Sequence, residues 1–223
     1  MVETIFRNRI GAGAKTDCRM LDGTPYAHGN PGCHTPYVWP ALRSAIERRE
    51  WRDRRAFDLG CGGGSASRLL SDMGFAVTAV DVDANAVAVA ARAHPNVTFA
   101  VGSGYDDLAA RYGRFPLVVS LDVIEHCFDP LAVARTFISL IAPGGVGMLS
   151  TPYHGYLKNL ALAVSGRMDR HFTALNVGGH IKFFSIETLT TLLREAGAKD
   201  LQMSRLGRRV SQFAKVIFVQ VSA

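Results

Sequence analysis

The run Ala56-Phe57-Asp58-Leu59-Gly60-Cys61-Gly62-Gly63-Gly64-Ser65-Ala66-Ser67-Arg68-Leu69-Leu70 decides the fold. It opens as a short apolar strand and closes on Ala66, Leu69 and Leu70 at helical spacing. The glycines between leave out the Cβ atoms that would hold a ligand away from the backbone. The same arrangement turns the unpaired N–H groups of the following helix toward an anionic group. Outward from it, Ala76 to Val80 reads as the next strand and ends at Asp81, an acid placed to accept hydrogen bonds from two ribose hydroxyls. The plain alternative is a tight strand-to-helix turn with no ligand. A dinucleotide loop, G-x-G-x-x-G, would need its third glycine where Ser65 stands. Asp58, just before the loop, suits a cationic amino-acid end better than a pyrophosphate.

The alternation continues away from that unit. Asn85 to Ala93 reads as a helix, Val97 to Val101 and Leu117 to Leu121 as strands, and Leu131 to Ile141 as a helix. Gly145 to Ser150 is a further strand, entered through the turn Ala142-Pro143-Gly144-Gly145. Short links between alternating elements predict an α/β fold, a doubly wound and mostly parallel sheet with helices on both faces. His154 to His180 interrupts the pattern. Ser185 then caps a helix that Gly197 stops. Leu201 to Arg205 and Val216 to Val221 are two last strands, joined through Gly207 as a hairpin that gives the sheet an antiparallel strand at its C-terminal end. Residues 1–40, with Tyr26, His28, His34 and Tyr37, read as an arm or lid, ahead of a helix over Pro40 to Arg49. Residues 41–223 read as one domain carrying a helical lid insertion at 153–180.

Phe57 to Gly64 resembles motif I of the class I S-adenosylmethionine-dependent methyltransferases, whose sheet is Rossmann-like. Val80-Asp81-Val82 resembles their ribose-binding acid, and Ser103-Gly104-Tyr105-Asp106-Asp107 sits where they hold the adenine. Ala142 to Gly145 is similar to their L-K-P-G-G turn, so the match covers about Arg55 to Ser150. The resemblance implies S-adenosylmethionine as cofactor, with Gly60 and Gly62 facing its methionine part and Asp58 near the ammonium. It implies that Asp81 holds the ribose, Tyr105 and Asp106 meet the adenine, and Leu121 lies near the sulfonium. Cys61 and Val82 count with them as cofactor-binding residues.

Leu121-Asp122-Val123-Ile124-Glu125-His126 leaves the fourth strand at the sheet edge where ligands bind in such folds. The step from Asp122 to Glu125 and His126 is one face of a helical turn, which suits a cation site or an acid/base pair. The alternative is a capping Asp122 with Glu125 and His126 as framework. The run is similar to the E-x-x-E-H segment of the ubiquinone-biosynthesis O-methyltransferases. Ser150-Thr151-Pro152 follows the fifth strand as in that group, and Gly178-Gly179-His180 with Lys182-Phe183-Phe184 resembles their G-T-H and K-F stretch. That resemblance implies a divalent metal held by Asp122, Glu125 and His126, although Asp122 replaces a glutamate and Gly179 a threonine. His126, His180 and His154, the last just beyond a strand end, are the candidate catalytic residues; a hydroxyl acceptor must lose a proton to a base or on a metal.

The composition agrees with one soluble domain: 223 residues, 48% hydrophobic, net charge +6. The densest basic run, Arg48 to Arg55, is broken by Glu50 and Asp53, which marks a solvated face rather than a nucleic-acid track. No N-P-P-Y tetrapeptide is present; Ser150-Thr151-Pro152-Tyr153 comes closest and follows the wrong strand. Cys18, Cys33, Cys61 and Cys127 form no C-x-x-C pair, and the N-terminus lacks an apolar signal run, so a cytoplasmic protein with reduced thiols is expected. The reading is methyl transfer to a small-molecule acceptor, first of all to a hydroxyl, with no nucleic-acid partner expected. N- or C-methylation, nucleic-acid methylation and a non-catalytic cofactor binder stay as alternatives. Leu157 to Val164, followed by Arg167, Arg170 and His171, predicts a substrate lid or a peripheral membrane contact; so short an apolar run favours the lid.

Overall fold

The computed structural model describes residues 35–172, 174–175, 178–208 and 210–222. The expected arm, with Tyr26, His28, His34, Cys18 and Cys33, therefore lies outside the described residues apart from its last few positions. The helices are α1 (Thr35–Glu47), α2 (Ser65–Asp72), α3 (Ala84–Ala93), α4 (Leu108–Tyr112), α5 (Pro130–Ser139), α6 (Tyr156–Val164), α7 (Met168–Phe172) and α8 (Ile186–Glu195). The strands are β1 (Arg55–Leu59), β2 (Ala76–Asp81), β3 (Thr98–Val101), β4 (Phe115–Leu121), β5 (Ile141–Pro152), β6 (Asp200–Leu206) and β7 (Val216–Ser222).

They form a seven-stranded sheet in the order β3-β2-β1-β4-β5-β7-β6. β1 to β5 pair in parallel, and β7 lies antiparallel to both β5 and β6. The doubly wound reading and the antiparallel C-terminal strands are borne out. Central parallel strands must be covered on both faces, which is why β1 is buried from Ala56 to Leu59. Val38, Leu42, Ala45 and Ile46, one face of α1, pack with Leu69 and Leu70 of α2 on one side. Val133 and Phe137 of α5 and Leu189 and Leu193 of α8 cover the other.

Local chemistry sets the ends. Asp83, Asp107 and Asp129 cap α3, α4 and α5 by accepting backbone N–H bonds. Ser185 caps α8 reciprocally with Thr188, as expected. Three features differ from the sequence reading. α1 begins at Thr35, with Pro40 inside it rather than at its start. Ala142 to Gly145 is not a turn ahead of β5 but a break within it: Phe115 pairs Ile141, and the next partner, Leu117, pairs Val146. α4 has no counterpart in the pattern of the sequence.

The order reverses between β1 and β4, the switch point at which ligands bind in open α/β sheets. The insertion leaves the same edge after β5 and contains α6 and α7. α6 has no buried residue, and Tyr156 and Val164 are 78% and 82% exposed. Among the described residues no helix is long and apolar enough to cross a membrane.

Candidate functional site

Gly60, Gly62 and Gly64 have φ of 78°, 48° and 81°, in the left-handed region that side chains disfavour. The N–H groups of Gly60 and Cys61 both donate to the Val80 carbonyl, at 2.8 and 3.0 Å, which ties the loop to the end of β2. A Cβ on Gly60 would lie 2.5 Å from a Val123 methyl, so the loop and the turn after β4 touch only because Gly60 has none. Asp81 accepts the Gly62 N–H at 2.8 Å on one carboxylate oxygen and the Asp83 N–H at 2.9 Å on the other. Each oxygen keeps lone-pair capacity for a further donor.

Asp58 is 1% exposed, and its hydrogen-bonding side-chain partner is Ser67, whose hydroxyl donates at 2.5 Å. Burial pushes its pKa up to about 7, and the charge of Asp81 adds to that. An acid in that position is stabilised as a carboxylate by an arriving cation. Cys61 is buried beside these two acids, and burial first, then their charges, raise its thiol. Val82 is exposed beyond Asp81. Tyr105 and Asp106 lie in the loop after β3; the Tyr105 hydroxyl accepts the Asp129 N–H at 3.2 Å, and Asp106 accepts the Ser103 N–H at 2.8 Å. Leu121, the last residue of β4, is half-buried beside Ser150. The residues expected to bind the cofactor thus lie at the adjoining C-terminal ends of β3, β2, β1 and β4.

The turn after β4 departs from expectation. Asp122 has φ 55°, the one positive value at a non-glycine among the described residues. Its N–H donates to the Ser150 carbonyl at 3.0 Å, and its carboxylate accepts the Ser150 hydroxyl at 2.9 Å. The reversed backbone takes Asp122 off the single 3₁₀ turn, Ile124–His126, that follows. The helical face on which Asp122, Glu125 and His126 were to converge therefore does not form.

A different group converges. Glu125 is fully buried; its Oε2 accepts the Thr151 hydroxyl at 2.9 Å, and its Oε1 lies 3.9 Å from His180 Nε2 without a hydrogen bond. The N–H groups of Ile181 and Lys182 both donate to the Glu125 carbonyl at 2.9 Å, which carries His180 to the site. The rings of His126 and His180 meet edge to face, 4.8 Å apart, and His126 Nδ1 is buried without a partner. Ligand atoms of Glu125, His126 and His180 all lie within 4.8 Å of one another. Burial first, then the Asp122 charge, holds the Glu125 carboxyl well above the usual carboxylate range.

His154 stands apart from that group. It is 7% exposed, with ring centroids of Phe172 at 5.5 Å, Phe183 at 4.9 Å and His171 at 5.4 Å. Burial first, then the Lys158 charge, pushes its pKa down to about 4. A cleft of about 380 Å³ opens between the two groups, lined by His126, Phe128, Phe172, Gly178, His180 and Ile181. Sequence reasoning missed Thr151 as the partner of Glu125 and the aromatic wall around His154. Adjacency of β4 and β5 would have pointed to the first; nothing local announces the second.

The family described as "Methyltransferase domain" matches residues 34–203. A ubiquinone biosynthesis O-methyltransferase of a Caulobacter species is 36% identical over 128 residues, covering 56% of this chain and 50% of the relative. The protein of the same name from Thiobacillus denitrificans is 31% identical over 171 residues, covering 70% of this chain and 72% of the relative. Among solved structures, magnesium protoporphyrin IX methyltransferase from Synechocystis, with bound SAH, superposes with a TM-score of 0.63 at 19% identity, over 83% of this chain and 82% of that one. At that identity the likeness is one of fold. The chain spans about half the length of the first curated relatives it matches, 50% and 42%.

Proposed function

Since the chain belongs to the methyltransferase-domain family, we propose that it transfers a methyl group from S-adenosylmethionine to a hydroxyl of a small-molecule acceptor. The observation that carries the reading is the bond from Gly62 to Asp81, which joins a loop of left-handed glycines to the ribose acid. S-adenosylmethionine supplies an electrophilic methyl on a sulfonium. Asp58 meets the ammonium, which draws its pKa back down. Asp81 receives the ribose hydroxyls on the lone pairs its two amide bonds leave. Tyr105 and Asp106 hold the adenine, and Leu121 presents an apolar surface to the sulfonium.

The cleft beside Phe128 and Phe172 takes the acceptor. His126 and His180, in edge-to-face contact with one another, both line it and supply the nitrogen that takes the hydroxyl proton. His154, kept neutral by burial, packs against Phe172, which lines that side. The donor set also fits a divalent metal. Glu125 Oε1 and His126 Nδ1 are buried atoms in want of a partner, and with His180 they offer one oxygen and two nitrogens. An ion there would lower the pKa of the acceptor hydroxyl. The exposed apolar face of α6 supports a peripheral membrane contact more than packing as a closed lid.

Calorimetric titration of the full chain with S-adenosylmethionine, followed by mass spectrometry of extracts incubated with methyl-labelled cofactor, tests the reading. Saturable binding and label on an oxygen are expected. A folded chain that binds no cofactor overturns it. Chelation before the labelling step decides the metal: undiminished transfer in excess EDTA leaves His126 and His180 to act alone.

A further inference from the structure

On the same edge of the sheet, beyond β5, Lys158, Arg205 and Lys215 each meet Tyr153 through a side chain or the backbone, and Arg208 stands nearby in sequence between the last two. The Lys158 ammonium donates to the Tyr153 carbonyl at 2.5 Å. The Arg205 guanidinium lies 5.2 Å from the centre of the Tyr153 ring. The Lys215 carbonyl accepts the Tyr153 N–H at 2.9 Å, and its ammonium donates to the Tyr37 hydroxyl at 2.9 Å while lying 4.8 Å from the centre of that ring. Arg208, in the link from β6 to β7, adds its charge to the field at Lys158.

Among the described residues none of the four is paired with a carboxylate; the ion pairs there are Arg55 with Asp53, Arg68 with Asp72, and His180 with Glu125. Like charges collected without a counter-charge repel one another. At Lys158 this adds to desolvation: burial first, then the charges of Lys215 and Arg208, push its pKa down to about 8. The same ammonium helps to hold His154 and His171 neutral. Tyr153 directly precedes His154, whose ring packs on Phe172 of the cleft, and this joins the cations to the cleft. The position of the ammonium also separates it from the cofactor, whose loop follows β1, while Tyr153 follows β5 and the sheet order places β4 between those strands.

We propose that Lys158, Arg205, Arg208 and Lys215 form a subsite for an anionic group, carboxylate or phosphate, borne by the acceptor. This rests on the cleft being the acceptor site. An anion relieves the mutual repulsion and accepts from the N–H bonds of Lys158 that Tyr153 leaves over. A neutral group offsets none of it. The acceptor is therefore an acidic hydroxyl compound, turned with its charge toward β7 and its hydroxyl toward His126 and His180.

Inorganic phosphate, titrated into the full chain saturated with S-adenosylhomocysteine, is the probe. Wild type should bind it. Lys158→Gln and Lys215→Gln should each weaken it about tenfold, the loss of one charge-assisted bond. Lys158→Arg should restore it, and Arg48→Gln, an exposed cation elsewhere, should leave it unchanged. Absence of phosphate binding to wild type, or equal binding by Lys158→Gln at an unchanged melting temperature, overturns the subsite. Binding of phosphatidylglycerol vesicles that these variants lose, with no binding of free phosphate, assigns the cations to a lipid headgroup and equally overturns it. S-adenosylhomocysteine affinity should be the same in every variant; its absence from wild type would sink the methyl-transfer reading and leave the phosphate result to be judged by itself.

Discussion

Asp58 is buried, and burial sets its protonation in the ligand-free chain. Without ligand its folded pKa, about 7, stands above the 3.8 of an ordinary aspartate. The native state therefore binds more protons than the unfolded chain between those values, and stability is lost as pH rises from about 4 through about 7. The gap between the folded and unfolded pKa corresponds to about 4 kcal/mol at the upper end of the window. Denaturant melts of ligand-free chain should show a downward slope there that Asp58→Asn flattens; equal slopes in both would remove burial as the cause. Asp81→Ala acts differently. It strands the Gly62 N–H and the ribose hydroxyls together, and should weaken S-adenosylmethionine by about 1–3 kcal/mol on calorimetry, with the fold retained. These two acids are legible in the sequence because a strand, a glycine loop and a second strand fix their separation whatever the tertiary packing. Asp122 is not. Counting three and four positions presumes an α-helical turn, and a backbone at φ 55° held by Ser150 breaks the count.

At the scale of elements, long apolar periods read correctly and short or interrupted ones do not. α4 has five residues, too few to show a period. Pro40 reads as the first residue of a helix because proline is favoured there, whereas α1 buries Val38 before it and so extends back to Thr35. α6 is legible as a helix, but not as one left bare. Leu157 and Leu160 are 46% and 44% exposed beside Tyr156 and Val164. If that face meets a membrane, the chain should cosediment with anionic vesicles, less so at high salt, and Leu160→Glu should abolish it. Unaltered cosedimentation in that variant would take α6 out of the contact.

The described residues form a sheet with a core on each face and the candidate site along one edge. The alternation of strands and helices predicts the parallel part, since each crossover returns the chain to the same edge. It does not say that β7, the last strand in sequence, sits between β5 and β6. That place depends on Val216, Phe218 and Val219 being buried between neighbours, which no local pattern encodes.

The insertion returns to the body where Ile181 and Lys182 bond the Glu125 carbonyl and where Tyr153 bridges Phe184. It is a loop fastened at its neck, and its integrity in the middle is not what holds its two ends. Limited trypsin digestion at Arg167, in the exposed turn between α6 and α7, should give two fragments on a denaturing gel that still elute together from a sizing column. Fragments that part on that column would show that covalent continuity, not the neck, maintains the site. By the same token, foreign peptide spliced in at that turn should be tolerated, which makes Gly166 a place to attach a reporter without disturbing His126 or His180.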